Sequence, residues 1–569
     1  MVTVGISLAG LLLFPTCERG PTARLAKLEA AVTFEARYLP LRDWAASISR
    51  DTGLRVTVSR ALSERKITIL CQRRPASEVM HEVAVALGLK WVQGKDNSLR
   101  AELDDSVRIA EREADQYEEA ARLARLQKAL KYAIDRGDMT PEQSHAEVTR
   151  VYKHLQELRQ SRRAPDDAEL LAAQDDYRLA TTDPVHFQFL AAVAGKEPKA
   201  LEALASGQPA FASTDATDRI AVLPKSILPF LSGDNDGVMF GYLDHAADGL
   251  RLEGKLFSTG GGGGYARLGT PLPMVEQPNP PKLRKWFNEW SSVQSAIVLA
   301  KPVADPEGVF ESANYAHDGY DAIVSSTADQ LVDLAKRSGV PVVADAFRRP
   351  SYRRAAIKSK TVSDWIEAFN RPRIENDIDF TPGFMRESEG WLMFRHDRYW
   401  VKQALEIPEE VIAHMAVRPT KGIDDYAWMA SQLTWRQLAG ARQNVLLPFS
   451  SSPLRSCGRL LLFWALLSSD QRSAVRSERL VLATINSEQV RALAIAMLDV
   501  QPSDTKSYVE ILRHLVRNEP VFGGAFLQLT DPGYGKPKAT RQPLNTQPLF
   551  KLGFGEHCAI TWTIPSVVR

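Results

Sequence analysis

The residues able to hold a metal or act as nucleophiles are ten histidines and four cysteines, Cys17, Cys71, Cys457 and Cys558. Their spacing supports neither role. The cysteines form no CxxC and no disulfide framework. His81-Glu82 is followed by Val83-Ala84-Val85, so the second histidine of a zinc-binding helix is missing. No G-x-S-x-G elbow occurs. Glu387 and Glu389 stand two apart, a spacing that puts two carboxylates on one face of a strand for acid/base work, but they fall in an expected solvated hairpin turn. The run Gly260 to Gly264 fails as a phosphate loop: Gly269 is followed directly by Thr270 without the lysine, and Tyr265 breaks the dinucleotide pattern, which leaves a flexible hairpin loop. Arg348, Arg349, Arg353, Arg354, Lys358 and Lys360 surround Tyr352, six cations within 13 residues. This stretch is either a solvated loop or a contact for an anionic partner, a lipid headgroup or an acidic protein. The candidate contact residues are Arg348, Arg349, Tyr352, Arg353 and Arg354. No catalytic residue, cofactor or metal ligand is nominated.

The elements that would position these residues come from a chain of 569 residues with 44% hydrophobic and 25% charged content, ordinary for a globular multidomain protein. Collagenous, disordered and multi-span membrane classes are excluded. With 71 basic and 69 acidic residues the net charge is +2, so no global field points to nucleic acid. Residues 2 to 14, VTVGISLAGLLLF, are too short to span a bilayer and suit the core of a signal peptide over 1–27. No Lys or Arg precedes the run, and Phe14-Pro15-Thr16 is a poor lipobox for Cys17. Export is the expectation; a cytoplasmic chain with a packed N-terminal strand is the alternative.

From Val32 to Leu103 the pattern is compact. Val32 to Ala36 alternates as a strand, and Trp44, Ala45 and Ile48 mark a helix face stopped by Gly53. Leu54 to Val58 and Lys66 to Cys71 alternate again. Pro75 starts a second helix with Val79, Val83, Ala86 and Leu87, and Gly88 ends it before a hairpin of Leu89 to Gln93 and Ser98 to Leu103. The order is βαββαβ with a closing hairpin. Phe34, Leu39-Pro40-Leu41, Thr52-Gly53-Leu54, Ile67-Thr68-Ile69, Pro75 and Leu87-Gly88-Leu89-Lys90-Trp91 together resemble the secretin and TonB N-terminal short domain, the STN family. The resemblance covers about 75 of 569 residues. It implies a small module of two helices on short sheets, at the periplasmic end of outer-membrane secretins and receptors, that binds proteins and is not catalytic. No β-barrel or secretin core follows it, so pore formation and siderophore transport are not implied.

The remainder reads as further segments of an α+β multidomain chain. Residues 105–178 form a charged helical hairpin of coiled-coil type, with Thr140-Pro141-Glu142-Gln143 starting its return arm. Residues 179–300 are mixed α+β with the glycine-rich loop. Residues 301–404 read as a decayed second copy of the first module: Thr327, Leu331, Leu334 and Ala335 end at Gly339, the strand Val340 to Ala344 follows, and a second helix starts at Thr361. Gly53 to Ser77 and Gly339 to Ser363 are both 24 residues apart. Residues 405–500 look helical and 501–569 β-rich, with cap-like starts at Ser468 and Asn486. The composite expectation is an exported, non-enzymatic envelope protein that docks a protein partner through its STN-like module, with peripheral membrane association open. The competing class is an enzyme with its site in the 180–320 region.

Overall fold

The computed structural model describes residues 26–94, 98–136, 140–161, 168–182, 184–196, 199–218, 220–224, 239–245, 251–258, 265–272, 285–286, 289–290, 296–304, 325–348, 350–351, 360–370, 383–396, 399–418, 422–442, 444, 446–477, 479–499, 505–517, 525–530, 549–554 and 557–563. The signal-like segment up to Leu25, Cys17 with it, and the run Gly260 to Gly264 lie outside these residues. The seven consecutive segments expected from sequence gather into two compact units. One is drawn from Met1–Asp115, Pro278–Glu409 and Asn444–Pro448, the other from Gln116–Gln277, Glu410–Gln443 and Phe449–Arg569. Strands are numbered in chain order.

The first unit opens with β1 (Ala31–Pro40), α1 (Leu41–Thr52), β2 (Val56–Val58), β3 (Lys66–Pro75), α2 (Ala76–Leu87), β4 (Leu89–Gln93) and β5 (Leu99–Leu103). β1 pairs antiparallel with β3, β2 parallel with β5, and β4 antiparallel with β5. α1 forms because Leu41, Trp44, Ala45 and Ile48 recur on one face and are buried. It stops at Gly53, whose φ of 65° is cheap only without a Cβ. Gly88 ends α2 in the same way at φ 66°.

A later stretch of the same unit repeats these pairings. It comprises β11 (Ser325–Ser326), a helix Thr327–Ser338, β12 (Val342–Asp345), β13 (Pro350–Ser351), a helix Val362–Asn370, β14 (Gly383–Ser388) and β15 (Trp391–His396). β11 pairs antiparallel with β13, β12 parallel with β15, and β14 antiparallel with β15. The helix ends agree to the atom. Thr52 Oγ1 donates to Ile48 O at 2.7 Å and accepts from Leu54 N at 3.2 Å; Ser338 Oγ donates to Leu334 O at 2.7 Å and accepts from Val340 N at 3.2 Å.

The two stretches do not hold separate sheets. β12 also pairs antiparallel with β3, giving one five-stranded sheet in the order β1-β3-β12-β15-β14. Alternation across that sheet feeds two cores. Ile67, Ile69, Cys71, Val343, Trp391 and Met393 join Trp44 and Val79 on one face. Leu70, Val342, Ala344, Leu392 and Phe394 join Leu331 and Trp365 on the other. The first module (residues 28–104) and its expected second copy (301–404), read from sequence as separate modules, therefore share one sheet through β3, whose first six residues are all buried.

The stretch 105–178, expected as a charged helical hairpin, is helical. Its first arm is a 32-residue helix, Asp105–Arg136, and its second is Pro141–Gln160, started by the Thr140/Gln143 capping box. Both arms carry buried residues. Ala110 and Ala114 pack with Tyr399 and Trp400, and Leu126 and Ala129 with Val185 and Phe189. Leu155 and Leu158 of the second arm pack on Leu170 and Ala173 of a third helix, Ala168–Ala180. Small alanines on a charged helix admit close neighbours from elsewhere in the chain as readily as from a coiled-coil mate. The second unit also holds a five-stranded sheet, β10-β9-β8-β6-β7, built from β6 (Ala210–Ser213), β7 (Ala221–Val222), β8 (Met239–His245), β9 (Arg251–Ser258) and β10 (Tyr265–Pro271). Helices between Glu409 and Val516 follow. A four-stranded sheet joins β16 (Leu480–Val481), β17 (Ala525–Thr530), β18 (Leu549–Phe554) and β19 (His557–Thr563).

A Cβ at Gly53 would meet nothing within 4 Å, whereas one at Gly88 would lie 2.7 Å from Val107 Cγ2. Both alanine substitutions incur the positive-φ strain of about 1 kcal/mol. Gly88→Ala adds an overpacking term, so its loss of stability in urea unfolding is expected to exceed that of Gly53→Ala.

Candidate functional site

The sequence candidate Arg348 follows β12, and it points inward. Its Nη2 lies 2.8 Å from Glu409 Oε1, its backbone N–H donates to Glu406 Oε2 at 3.1 Å, and its guanidinium stacks 4.5 Å from the Tyr38 ring centroid. Lys66, the first residue of β3, joins the same cluster with its side chain 1% exposed. Its Nζ reaches Glu406 Oε1 at 2.7 Å, Glu409 Oε2 at 3.0 Å and Ile407 O at 2.8 Å. Two cations and two carboxylates balance, so Arg348, a candidate contact for an anionic partner, is held here by internal carboxylates. Arg349, Tyr352, Arg353, Arg354 and Lys358 lie outside the described residues. At Lys360 the backbone N–H donates to Asp364 Oδ2, part of the cap of the Val362–Asn370 helix.

A second charged cluster gathers where β3 begins and β12 and β15 end. Arg65 grips Glu111 with two hydrogen bonds of 2.8 and 2.6 Å, and Tyr399 Oη donates to the same carboxylate at 2.7 Å. Arg395 lies 3.7 Å over the Tyr399 ring and 5.0 Å from that of Trp286, and donates to Ala86 O at 3.4 Å. Asp345 Oδ1 is 2.6 Å from His396 Nδ1, and the His396 backbone N–H also donates to this carboxylate. Burial works to raise the Glu111 pKa, but the Arg65 hydrogen bonds and charge outweigh it and hold the carboxyl below its usual range. Burial pushes the Tyr399 phenol far up, so it stays a donor. The residue types suit proton transfer. Here Phe347 and Phe394 meet the His396 ring edge-on at 5.0 and 4.9 Å, and each group named is engaged by another. The geometry is that of a clamp across the shared sheet.

The third cluster divides the pair Glu387 and Glu389, expected in a solvated turn: Glu389 is exposed in the turn, whereas Glu387 is not solvated. Glu387 lies in β14 and is buried, accepting from Gly390 N at 3.2 Å, while Glu389 turns the hairpin with φ 46°. Across from this hairpin stands α2. Glu78 accepts from Trp391 Nε1 at 2.6 Å and pairs with Arg74, and Glu82 is buried outright. Burial first, then the Glu389 charge, pushes the Glu82 carboxyl up to about 8.

In the second unit, β8 and β9 carry polar groups into a further buried cluster, within the region where sequence left an enzyme site open. Tyr242 Oη and Lys255 Nζ both donate to Leu498 O at 3.0 Å. Arg459 pairs with Asp244 and Asp499, and Arg442 reaches Asp499 at 2.8 Å. Burial pushes the neighbouring Cys457 thiol up to about 12, and that of Cys71 in the first unit up to about 11, so neither is a ready thiolate. Among the described residues, no group of three or more His, Cys, Asp or Glu is arranged to hold a metal ion, and no helix is long and apolar enough to cross a membrane.

Sequence reasoning missed Lys66, Arg65, Glu111, Asp345, Arg395, His396, Glu406 and Glu409. The signal lay in charges directly flanking apolar strands, Arg65-Lys66 before Ile67, Asp345 after Ala344 and Arg395-His396 after Phe394. No protein-family model, curated protein or solved structure matches the chain.

Lys66→Met leaves Glu406 and Glu409 short of a buried partner and is expected to cost about 3 kcal/mol or more in urea unfolding. Glu82 gives a pH dependence. From its ordinary 4.5 up to about 8 the unfolded chain releases this proton while the folded chain keeps it, so stability falls as pH rises through that window. Glu82→Gln, neutral throughout, is expected to match the parent near about pH 4 and exceed it by about 2–4 kcal/mol near about pH 9.

Proposed function

We propose that the chain is a non-enzymatic docking protein of the envelope of a bacterium with an outer membrane, built on two STN-like modules. One observation carries the reading: the stretches 31–103 and 325–396 share one order of elements and the same three strand pairings, and are joined by a strand addition. The local structure of the residues behind the resemblance supports the reading. Phe34 and Leu41 are buried, Gly53 and Gly88 take left-handed conformations, Ile67 to Ile69 run in β3, and Pro75 immediately precedes α2.

Recognition on this reading needs no covalent step. A short strand edge or helix face gains affinity by main-chain hydrogen bonds and burial of a modest apolar patch. On this reading the buried clusters would hold the modules preorganised, which lowers the ordering cost when a partner binds. The signal-like apolar run over residues 2–14 supports export.

Fractionation of the native cells with N-terminal sequencing tests the proposal. The mature chain is expected in the envelope fraction without the residues up to about position 27, in a native-gel species larger than the chain alone. Recovery from the cytosol as a lone chain with Met1 intact would overturn it.

A further inference from the structure

The two stretches differ at one matched position, and the difference decides what happens at a strand edge. Gly53 N–H, closing α1, bonds to Ser49 O; Gly339 N–H, closing the Thr327–Ser338 helix, bonds to Ala335 O. Ser49 and Ala335 thus correspond. So do β2 and β12, each beginning three residues after its glycine and each pairing parallel with the last strand of its stretch.

In the first stretch Leu99 N–H donates to Arg55 O and Ser59 N–H to Ala101 O. By strand alternation Arg55, Thr57 and Ser59 direct their backbone groups to β5, and Val56 and Val58 direct theirs to the opposite edge. In the second, Leu392 N–H donates to Pro341 O, so Val342 and Ala344 face the corresponding edge. There β3 has added, Leu70 opposite Val342 and Thr68 opposite Ala344. At β2 the same edge is met by a side chain. Ser49 Oγ accepts from Val56 N at 2.9 Å and lies 3.0 Å from Val56 O, with Ala45 O at 2.8 Å as the alternative acceptor for its one hydrogen. Ala335 has no hydroxyl with which to compete.

We infer that the β2 edge is a second docking edge, fitted to an antiparallel extended segment with the chemistry of β3 and held shut by the Ser49 hydroxyl. The occupant follows from the join already present in the chain: an alternating β-branched segment placed with Leu opposite Val56 and Thr opposite Val58, as Leu70 and Thr68 stand opposite Val342 and Ala344. The serine supplies the hydrogen bonds the edge would otherwise seek, a side-chain substitute for a strand that suppresses unwanted pairing.

The test uses the full chain and a labelled peptide of the β3 sequence, Lys66–Pro75 with Cys71 replaced by serine. Ser49→Ala is expected to bind the peptide roughly tenfold tighter than the parent, the scale of one or two backbone hydrogen bonds, with slowed amide exchange at Val56 and Val58. Equal affinity for parent and variant, or tighter binding that leaves those two amides unchanged, overturns the inference. The reverse substitution gives an independent arm that needs no peptide. Ala335→Ser sets a hydroxyl against the Val342 backbone and is expected to speed amide exchange at Thr68 and Leu70; unchanged exchange there also overturns it.

Discussion

The first unit depends on the antiparallel pairing of β3 with β12. Through it a strand near the start of the chain lies inside a sheet whose other three strands arrive well over two hundred residues later. The pairing fixes which side chains enter which core. A slip by one residue would turn Val343 and Met393 away from the Trp44 face and Val342 and Phe394 away from the Leu331 face, because side chains alternate strictly along a strand. A strand with both faces and both edges covered explains why Lys66 to Cys71 is buried throughout.

Charges set at the strand ends hold this register. Lys66 at the start of β3 meets Glu406 and Glu409, Asp345 at the end of β12 meets His396, and Arg395 near the end of β15 stacks on Tyr399. Buried ion pairs return little net stability against their desolvation, but they penalise heavily any arrangement that separates them. A shifted strand would leave Lys66 or Asp345 alone in a low-dielectric interior. Hydrophobic burial drives the sheet together, and the charges select one way of assembling it.

Much of the local order was legible in the sequence. Gly53, Gly88 and Gly339 stop helices because each adopts a positive φ, and this needs only the residue type and its place after an apolar face. The Thr140, Ser468 and Asn486 starts are hydrogen-bonded caps, again a local matter. What was not legible is long-range. Nothing near Lys66 says that its partners are Glu406 and Glu409, so Arg348 read as a free surface cation when the same carboxylates hold it. Glu387 looked solvated because polar residues cluster around the Glu389-Gly390 turn, although its own place in β14 is covered. The alanine spacing of the 105–136 helix identified a buried face without naming what buries it.

The discontinuous build of this unit also has a cost during synthesis. Leu70 leaves the ribosome about 270 residues ahead of Val342, with which it must pair. At typical elongation speeds of about 5–20 residues per second, that gap lasts roughly 15–50 s. For that interval the nascent chain carries an Ile- and Leu-rich strand whose edge toward β12 is open to other strands, a template for wrong partners.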